Sequence, residues 1–516
     1  MKKTFITAAA LSLLIAALAA CSKTPPAAAT ASTETPAVAA ANPNDKELPP
    51  APSPARSVAI PKPVEKTLDN GLRVIVVQHG GTPLVTAELN LLSGSEVDPP
   101  SLSGLAGFTA NLLTQGTKTR SAPQIAQASE ALGASLTAAA DWDASRIGIT
   151  VTTPKTGEAL DLLADVVRNP TFAKAEVERQ RSQALDGLSV QLQQPRSLAS
   201  LVATRLLFGT SPYGHSRLGT PASLKQIHSA DLVKLHETYY RPDNAVLVFS
   251  GDIDGDTAFA LAEKVFGSWA KPNYPVPPRP TIDEASAASG AVRVVAIDLP
   301  GAGQAAVVAV HRLPPRKADD YYAGVITNAV LGGGYSARLN SEIRIKRGLS
   351  YGAGSRFQAL RDAGVLLAFA QTKNQSAPEV ADLIRAEITK LSSESVPLPE
   401  LAARKASLIG GFSRGLQTTS GIAEQLGELI TQGIDLDAIN HTIANAEAVT
   451  PAQVQAYAAA HLNVNDVDIV IVGDAKQFSE ALGKTYPDLQ LIPATSLDLD
   501  DALPAATPAP TAARAP

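Results

Sequence analysis

Residues 230–253 read ADLVKLHETYYRPDNAVLVFSGDI, and residues 452–475 read AQVQAYAAAHLNVNDVDIVIVGDA. The two stretches align without a gap, although few of their residues are identical. Each places apolar side chains at the 3.6-residue period of a helix, continues through a short turn, and ends in an apolar strand closed by Gly-Asp. Because the same plan occurs twice, the sequence predicts a chain built from two similar halves.

The rest of each half follows one order of elements. Strand patterns open the first half and return after a helical stretch, and the second half repeats this order. The segments are 72–77, 84–92, 135–140 and 147–152 in the first half, and 292–297, 305–310, 351–357 and 365–370 in the second. Strands and amphipathic helices in this order predict an α+β fold, in which each half is a mixed or antiparallel sheet with helices covering one face.

A proline-punctuated segment at 271–291 separates the halves and is typical of a linker. It leaves a first domain at 61–270 and a second at 292–491. Segments 22–60 and 492–516 are rich in Ala and Pro and poor in large apolar side chains. Such segments cannot bury enough apolar surface to fold, so we predict a tether before the first domain and a disordered tail after the second.

The N-terminus has the pattern of a bacterial export signal. Lys2 and Lys3 precede an apolar run that ends at Cys21, the only cysteine of the chain. We predict a lipoprotein signal peptide over residues 1–21, with Cys21 lipidated as the new N-terminus. This predicts a lipid-anchored protein of the bacterial cell envelope that faces the periplasm, and Ser22 favours the outer membrane. The alternative is an ordinary secretory signal with an incidental cysteine.

Composition argues against several functions. Charged residues make up 18% of the 516-residue chain and the formal net charge is −5, so no nucleic-acid partner is indicated. The sequence has no G-x-S-x-G nucleophile motif. None of its seven histidines has another histidine four residues away, so no helical zinc-binding pair is present.

Residues 104–117, which read GLAGFTANLLTQGT, nevertheless have the framing residues of a zinc-peptidase helix. The inverted zincin motif is H-x-x-E-H, in which two imidazoles one helical turn apart hold the metal and a carboxylate deprotonates its water. These three positions are Gly107, Ala110 and Asn111 here. The sequence therefore predicts that this chain binds no metal and has no cofactor of its own.

The frame around this helix resembles the pitrilysin (insulinase) family of zinc metallopeptidases, which includes the mitochondrial processing peptidases. Further motifs of the family occur at 68–74 (LDNGLRV), 212–215 (PYGH), 239–244 (YYRPDN) and 246–252 (VLVFSGD). The resemblance covers nearly the whole chain between the tether and the tail. It implies two halves that face each other like a clam shell, with the zinc site in the first half and peptide-holding groups in the second.

The resemblance also locates the third zinc ligand, a glutamate on a later helix. Gly187 stands at that position, and Gln180 stands where a second glutamate assists it. Asp186 and Glu178 are not substitutes, because a one-residue shift turns a helical side chain by ~100°, away from the site. The three ligands and the general base are thus all replaced, which implies a non-catalytic member of the family.

A glycine run in the second half, Gly332, Gly333 and Gly334, lies between two predicted helices. Three glycines allow positive φ and close backbone approach, so a turn between helices explains them without a ligand. The run also resembles a shortened form of the glycine-rich loop in the non-catalytic subunit of mitochondrial processing peptidase, which implies that these glycines bind substrate.

Arg344 and Tyr351 match an arginine and a tyrosine that, in the family, reach across the clam shell to the peptide at the zinc site. A guanidinium holds a peptide carbonyl through fixed donors, and a phenol donates to the oxyanion of a tetrahedral intermediate. The alternative is structural, with a basic helix end and a core tyrosine in a strand.

The loss of the zinc ligands and the general base, together with the retention of Arg344 and Tyr351, favours a non-catalytic, peptide-binding subunit of a two-chain zinc metalloendopeptidase. A homologous partner would supply H-x-x-E-H and zinc, and this chain would supply Arg344, Tyr351 and half of the peptide chamber. Alone it is expected to hydrolyse nothing. The alternative is a zinc-free peptide-binding or scaffold lipoprotein, monomeric or homodimeric, with no catalytic partner.

Overall fold

The structure is a computed structural model that describes residues 59–282 and 293–501. The predicted signal peptide, its lipidation site Cys21 and nearly all of the predicted tether lie outside the described residues. Within the two described ranges, no helix combines the length and the apolar character needed to cross a membrane.

The first half contains a six-stranded sheet in the order β1-β2-β6-β3-β5-β4. Its strands are β1 (Val64–Thr67), β2 (Arg73–Gln78), β3 (Leu84–Leu91), β4 (Leu136–Ala140), β5 (Ser145–Thr152) and β6 (Ala245–Gly251). Its helices are α1 (Leu105–Leu112), α2 (Ala122–Ala131), α3 (Thr156–Arg168), α4 (Lys174–Leu192), α5 (Pro195–Phe208), α6 (Pro221–Gln226), α7 (Ser229–Tyr239) and α8 (Gly255–Phe266). Strands β2 and β6 are parallel, and the other neighbouring strands are antiparallel.

The second half contains a six-stranded sheet in the order β12-β7-β11-β8-β10-β9. Its strands are β7 (Val294–Asp298), β8 (Ala305–Leu313), β9 (Ser350–Ala359), β10 (Gly364–Thr372), β11 (Asp468–Gly473) and β12 (Gln490–Pro493). Its helices are α9 (Tyr321–Leu331), a π-helix (Asn340–Lys346), α10 (Ala377–Ser393), α11 (Leu398–Gly415), α12 (Thr419–Gln432), α13 (Ala438–Ala448), α14 (Pro451–His461) and α15 (Ser479–Thr485).

Five strands of each sheet follow one topology, which confirms the prediction of two similar α+β halves. The order β2-β6-β3-β5-β4 in the first half is repeated as β7-β11-β8-β10-β9 in the second. The stretches that revealed the repeat form α7 with β6 and α14 with β11, and every residue of both strands is buried. The sixth strands differ, because β1 runs antiparallel to β2 whereas β12 runs parallel to β7.

Each sheet is covered on both faces, because one helix of each half packs on the sheet of the other half. Helix α12 of the second half packs on β3 and β6 of the first sheet, and its Ile422 and Leu426 join a core with Val246 and Val248. Helix α5 of the first half packs on β8 and β11 of the second sheet. The prediction of helices on one face was therefore incomplete. The apolar side chains on the opposite face of each strand need a cover of their own.

The second half also extends beyond its predicted end at residue 491. Strand β12 continues to Pro493, and Leu499 is buried in the core that contains α5. Arg205 donates to the backbone oxygens of Asp500 at 2.6 Å and Asp501 at 2.9 Å. The assignment of residues 492–501 to a disordered tail is therefore wrong, because a few apolar side chains and backbone acceptors fix this short segment against the first half.

Candidate functional site

Two adjoining cavities lie where the halves meet. The central cavity has a volume of about 1020 Å³ and is lined by both halves, whereas the first-half cavity has a volume of about 730 Å³ and is lined by the first half and Gln358. The residues that line both are Trp142, Arg196, Ser200, Thr204, Arg217 and Gln358. We call the two cavities together the chamber.

The positions of the replaced zinc ligands line the first-half cavity. Gly107 and Asn111 on α1 line it together with Gly187 and Gln180 on α4. Ala110, at the general-base position, is fully buried in the core of the first half. A Cβ atom at Gly187 would meet no other atom within 4 Å, so its missing side chain leaves open space in the cavity.

The residues at these positions do not fit a zinc ion. Zinc in peptidases is held by imidazole, thiolate or carboxylate groups, and glycine offers no side-chain donor. The described residues contain no cluster of three or more His, Cys, Asp and Glu side chains able to hold a metal. His215 lines the cavity, but its Nε2 lies 3.5 Å from Asp98 Oδ2 and it has no histidine neighbour on α1. No chemistry of this chain is therefore assigned to a bound metal.

The frame of the lost zinc helix is preserved in detail. Asp98 accepts hydrogen bonds from the backbone N–H groups of Gly104 at 3.0 Å and Ala106 at 2.8 Å, which satisfies the first turn of α1. Burial raises the pKa of Asp98. Gly104 has φ 87°, and a Cβ there would lie 2.5 Å from the backbone N of Gly219, so only glycine fits. Asp98 and the close approach of Gly104 to the backbone of Leu218 and Gly219 thus hold α1 in place.

A buried ionic cluster of Glu96, Asp143 and Arg361 joins the halves beside the chamber. Arg361, in the turn between β9 and β10, places its Nη2 atom 3.3 Å from Glu96 Oε1 and 3.3 Å from Asp143 Oδ1. The hydroxyl of Tyr213 donates to Asp143 Oδ1 at 2.5 Å. Burial raises the pKa of Glu96 to about 7, against the opposing effect of Arg361. The guanidinium group of Arg361, in the second half, therefore interacts with two carboxyl groups of the first half.

Sequence reasoning missed this cluster almost entirely. Only Tyr213 belongs to a quoted motif, at 212–215, and the three charged residues lie far apart in the chain. No local pattern marks such residues, because their pairing depends on how the two halves pack. The nearest available signal was the charged Arg361-Asp362 pair in a predicted turn between strands.

The glycine run is explained largely by packing. The oxygen of Gly332 accepts from the backbone N of Ser355 at 3.0 Å, and a Cβ at Gly332 would collide with that strand. A Cβ at Gly333 would lie 2.8 Å from Cα of Ala329, whereas at Gly334 the nearest atom is 3.9 Å away. Gly333 alone of the three is among the described residues that line the chamber. Close packing against β9 accounts for Gly332 and close approach to the end of α9 accounts for Gly333, and substrate binding by the run stays a prediction.

Arg344 and Tyr351 belong to two neighbouring elements of the second half, the π-helix and the edge strand β9. Arg344 is on the π-helix, and its guanidinium carbon lies 5.0 Å from the ring centre of Tyr335. Tyr351 is the second residue of β9 and is 87% exposed, so the alternative of a core tyrosine is wrong. Neither residue is among the described residues that line the chamber. Their role in contacting a peptide therefore stays a prediction, and it requires a partner or peptide outside this chamber.

The fold and the gathered positions define a class: a two-half zinc-peptidase scaffold without its metal ligands. Comparison with known proteins agrees. The model of the insulinase family, peptidase family M16, matches residues 73–220, and the model of the peptidase M16 inactive domain matches residues 226–408. The chain belongs to the insulinase (pitrilysin) family, which confirms the resemblance, and it lacks the family's catalytic motif.

Individual relatives cover most of the chain. An uncharacterized zinc protease from Mycobacterium bovis is 29% identical over 407 residues, which are 79% of this chain and 92% of that protein. The crystal structure of a peptidase M16 inactive domain from Pseudomonas fluorescens is similar with a TM-score of 0.74 and 28% identity, covering 80% of this chain and 98% of that chain. A protease from Helicobacter pylori shares the fold, with a TM-score of 0.77, 22% identity and coverage of 80% and 100%.

Proposed function

We propose that this chain is a non-catalytic, peptide-binding subunit of a two-chain zinc metalloendopeptidase. A homologous partner with an intact H-x-x-E-H motif supplies the zinc ion and the general base. One observation carries the proposal. The chamber of a peptidase is kept, together with the frame of its zinc helix, while the donor atoms at Gly107, Asn111 and Gly187 are gone.

The kept frame argues that the chamber is still used. Holding α1 requires the buried carboxylate of Asp98 and a positive φ at Gly104. Burying a carboxylate is costly unless its oxygens accept hydrogen bonds, and a glycine at this position is the only residue that avoids a collision. These features shape a cavity rather than perform chemistry, as expected of a subunit that binds peptide and leaves cleavage to its partner.

Arg344 and Tyr351 are the residues through which the chain would assist that partner. Tyr351 is exposed, and Arg344 is half-buried with its guanidinium over the exposed ring of Tyr335. An exposed phenol and a guanidinium held over an aromatic ring are available to groups of another chain. In the assembled peptidase, Arg344 would position the peptide and Tyr351 would donate to the oxyanion.

The proposed location is the bacterial cell envelope. Lipidation at Cys21 would anchor the chain at the outer membrane, and the predicted tether at residues 22–60 would let the chamber reach peptides in the periplasm. The expected substrate is an unfolded or short peptide, because the central cavity lies between the two halves and is lined by both.

A second candidate is a zinc-free peptide-binding or scaffold lipoprotein without a catalytic partner. The observation that favours it is that both halves of the same chain line the central cavity, so peptide binding needs no second subunit. The two candidates differ in one property, the dependence of proteolysis on a complex that contains this chain.

The test is reconstitution with a homologue from the same genome that carries H-x-x-E-H. We expect the two chains to elute as one complex from a size-exclusion column, and the complex to cleave a fluorogenic peptide faster than either chain alone. Turnover that is the same with and without this chain, in the absence of a complex, would reject the subunit function. Peptide binding by the lone chain would then support the second candidate.

A further inference from the structure

The central cavity carries more arginines than its acidic residues neutralise. The charged residues that line it are Arg146, Arg196, Arg217, Arg316, Arg356, Asp141, Asp143 and Glu428. The chain as a whole has a formal net charge of −5, so this excess of positive charge is local. A local excess of positive charge in a cavity raises the concentration of anionic ligands there.

The acidic residues of the lining are already engaged. Asp141 pairs with Arg146 at 2.8 Å and with Arg217 at 2.8 Å. Asp143 belongs to the buried cluster with Arg361. Burial raises the pKa of Glu428, which favours its neutral form.

Within the described part of the chain, three arginines of the lining, Arg196, Arg316 and Arg356, have no carboxylate partner, and of these Arg316 is half-buried over Tyr321. Among the described residues, no carboxylate oxygen lies within 4.0 Å of the guanidinium groups of Arg196 or Arg356. Arg196 comes from α5 of the first half and Arg356 from β9 of the second, and both side chains are exposed. Their N–H donors are therefore open to a ligand in the cavity.

One aromatic ring holds both groups in place. The guanidinium carbon of Arg196 lies 4.3 Å from the ring centre of Phe369, and that of Arg356 lies 5.9 Å from it. Cation–π contact orients a guanidinium and leaves its edge donors free, so less side-chain entropy is lost when a carboxylate binds. Phe369 also lines the cavity and offers an apolar surface next to the two charges.

We propose that the central cavity selects acidic peptide segments, with Arg196 and Arg356 binding aspartate or glutamate side chains next to Phe369. This inference rests on the proposed peptide-binding function and adds its substrate class. An apolar ring next to two guanidinium groups suits a peptide segment that carries both acidic and apolar side chains. The volume of about 1020 Å³ is at the upper end of ligand pockets and accommodates a short segment.

The test measures binding of three fluorescent peptides of equal length to the purified chain by anisotropy. One peptide carries several Glu residues, and the others carry Gln or Lys at the same positions. The probe variant is Arg196→Gln with Arg356→Gln. The matched control is Arg385→Gln, whose guanidinium also lies over an aromatic ring, 5.4 Å from the centre of Tyr486, but which is not among the described residues lining the cavity.

We expect the Glu peptide to bind tightest and the Lys peptide weakest, with the difference reduced at high salt. The double variant should weaken Glu-peptide binding about five- to twentyfold, because each solvated charge pair contributes up to about fivefold. Arg385→Gln should bind like wild type, and both variants should melt like wild type because none of the three arginines is buried.

Any other outcome contradicts either the acidic selectivity or the peptide-binding function. Equal binding of the Glu and Gln peptides, tighter binding of the Lys peptide, or an unchanged preference in the double variant would overturn the acidic selectivity and leave peptide binding standing. Failure of all three peptides to bind would contradict the peptide-binding function itself.

Discussion

Replacing Glu96 by Gln should remove a loss of stability that the wild type shows as the pH rises. This loss is the reverse of the usual case, in which an acidic residue with a lowered pKa loses its contribution as the pH falls. Glu96 is buried beside Arg361 and Asp143, and burial raises its pKa from 4.5 to about 7. A carboxyl group whose pKa is higher in the folded state binds protons more tightly there than in the unfolded chain. Its contribution is therefore fully present below pH 4.5 and is lost as the pH rises through 7.

The size of the effect follows from the shift. A difference of about 2.5 pKa units corresponds to about 3 kcal/mol between pH 4.5 and pH 8. Glutamine resembles the protonated side chain in shape and is always neutral, and it retains an oxygen to accept from the N–H of Gly94. The variant should therefore be more stable than wild type at pH 8 by about 3 kcal/mol and similar to it at pH 5.

Urea unfolding at a series of pH values from 5 to 8 measures this difference directly. Asp98, Glu88 and Glu428 also have pKa values raised by burial and contribute to the slope of the wild type. They are unchanged in the variant, so the difference between the two proteins isolates Glu96. Parallel stability profiles for wild type and Glu96→Gln would refute the assignment of a high pKa to this buried group.

Three further predictions concern function. Because Gly107, Asn111 and Gly187 offer no zinc ligands, elemental analysis of the purified chain should find well below one zinc per molecule, and a stoichiometric metal that survives mild chelation would contradict this. In the reconstituted peptidase, Tyr351→Phe should lower turnover by about 10² if the phenol donates to the oxyanion, and wild-type turnover would make it structural. Cys21→Ser should release the protein from membranes, and normal maturation with unchanged membrane fractionation would exclude lipidation.

The fold was predictable where one local pattern decides it. The buried strands β6 and β11 are apolar runs bounded by turns, and their equivalence followed from aligning two segments of sequence. The exchange of α5 and α12 was not predictable, because amphipathic periodicity identifies an apolar face but not the sheet that covers it. The segment at 492–501 was missed for a related reason, since its few apolar residues matter only through contacts with the first half.

The candidate site divides in the same way. The positions of the lost ligands could be read from the frame of α1, and the structure gathers Gly107, Asn111 and Gly187 at one cavity as the resemblance implied. The placement of Arg196 and Arg356 around Phe369 could not be predicted from the sequence, because it joins a helix of one half to strands of the other. Spacing in sequence carries no information about such contacts.

The exchanged helices also bear on how a peptide enters the chamber. Helix α5 lines the chamber through Arg196, Ser200 and Thr204, while its opposite face packs Leu198 and Val202 into the core of the second sheet. Separating the halves widely would expose these apolar side chains, at about 1.5 to 3 kcal/mol for each fully buried one. The same holds for α12 on the first sheet. The width of the chamber is therefore set by packing, and a folded protein is too large to enter it, whereas an extended peptide is not.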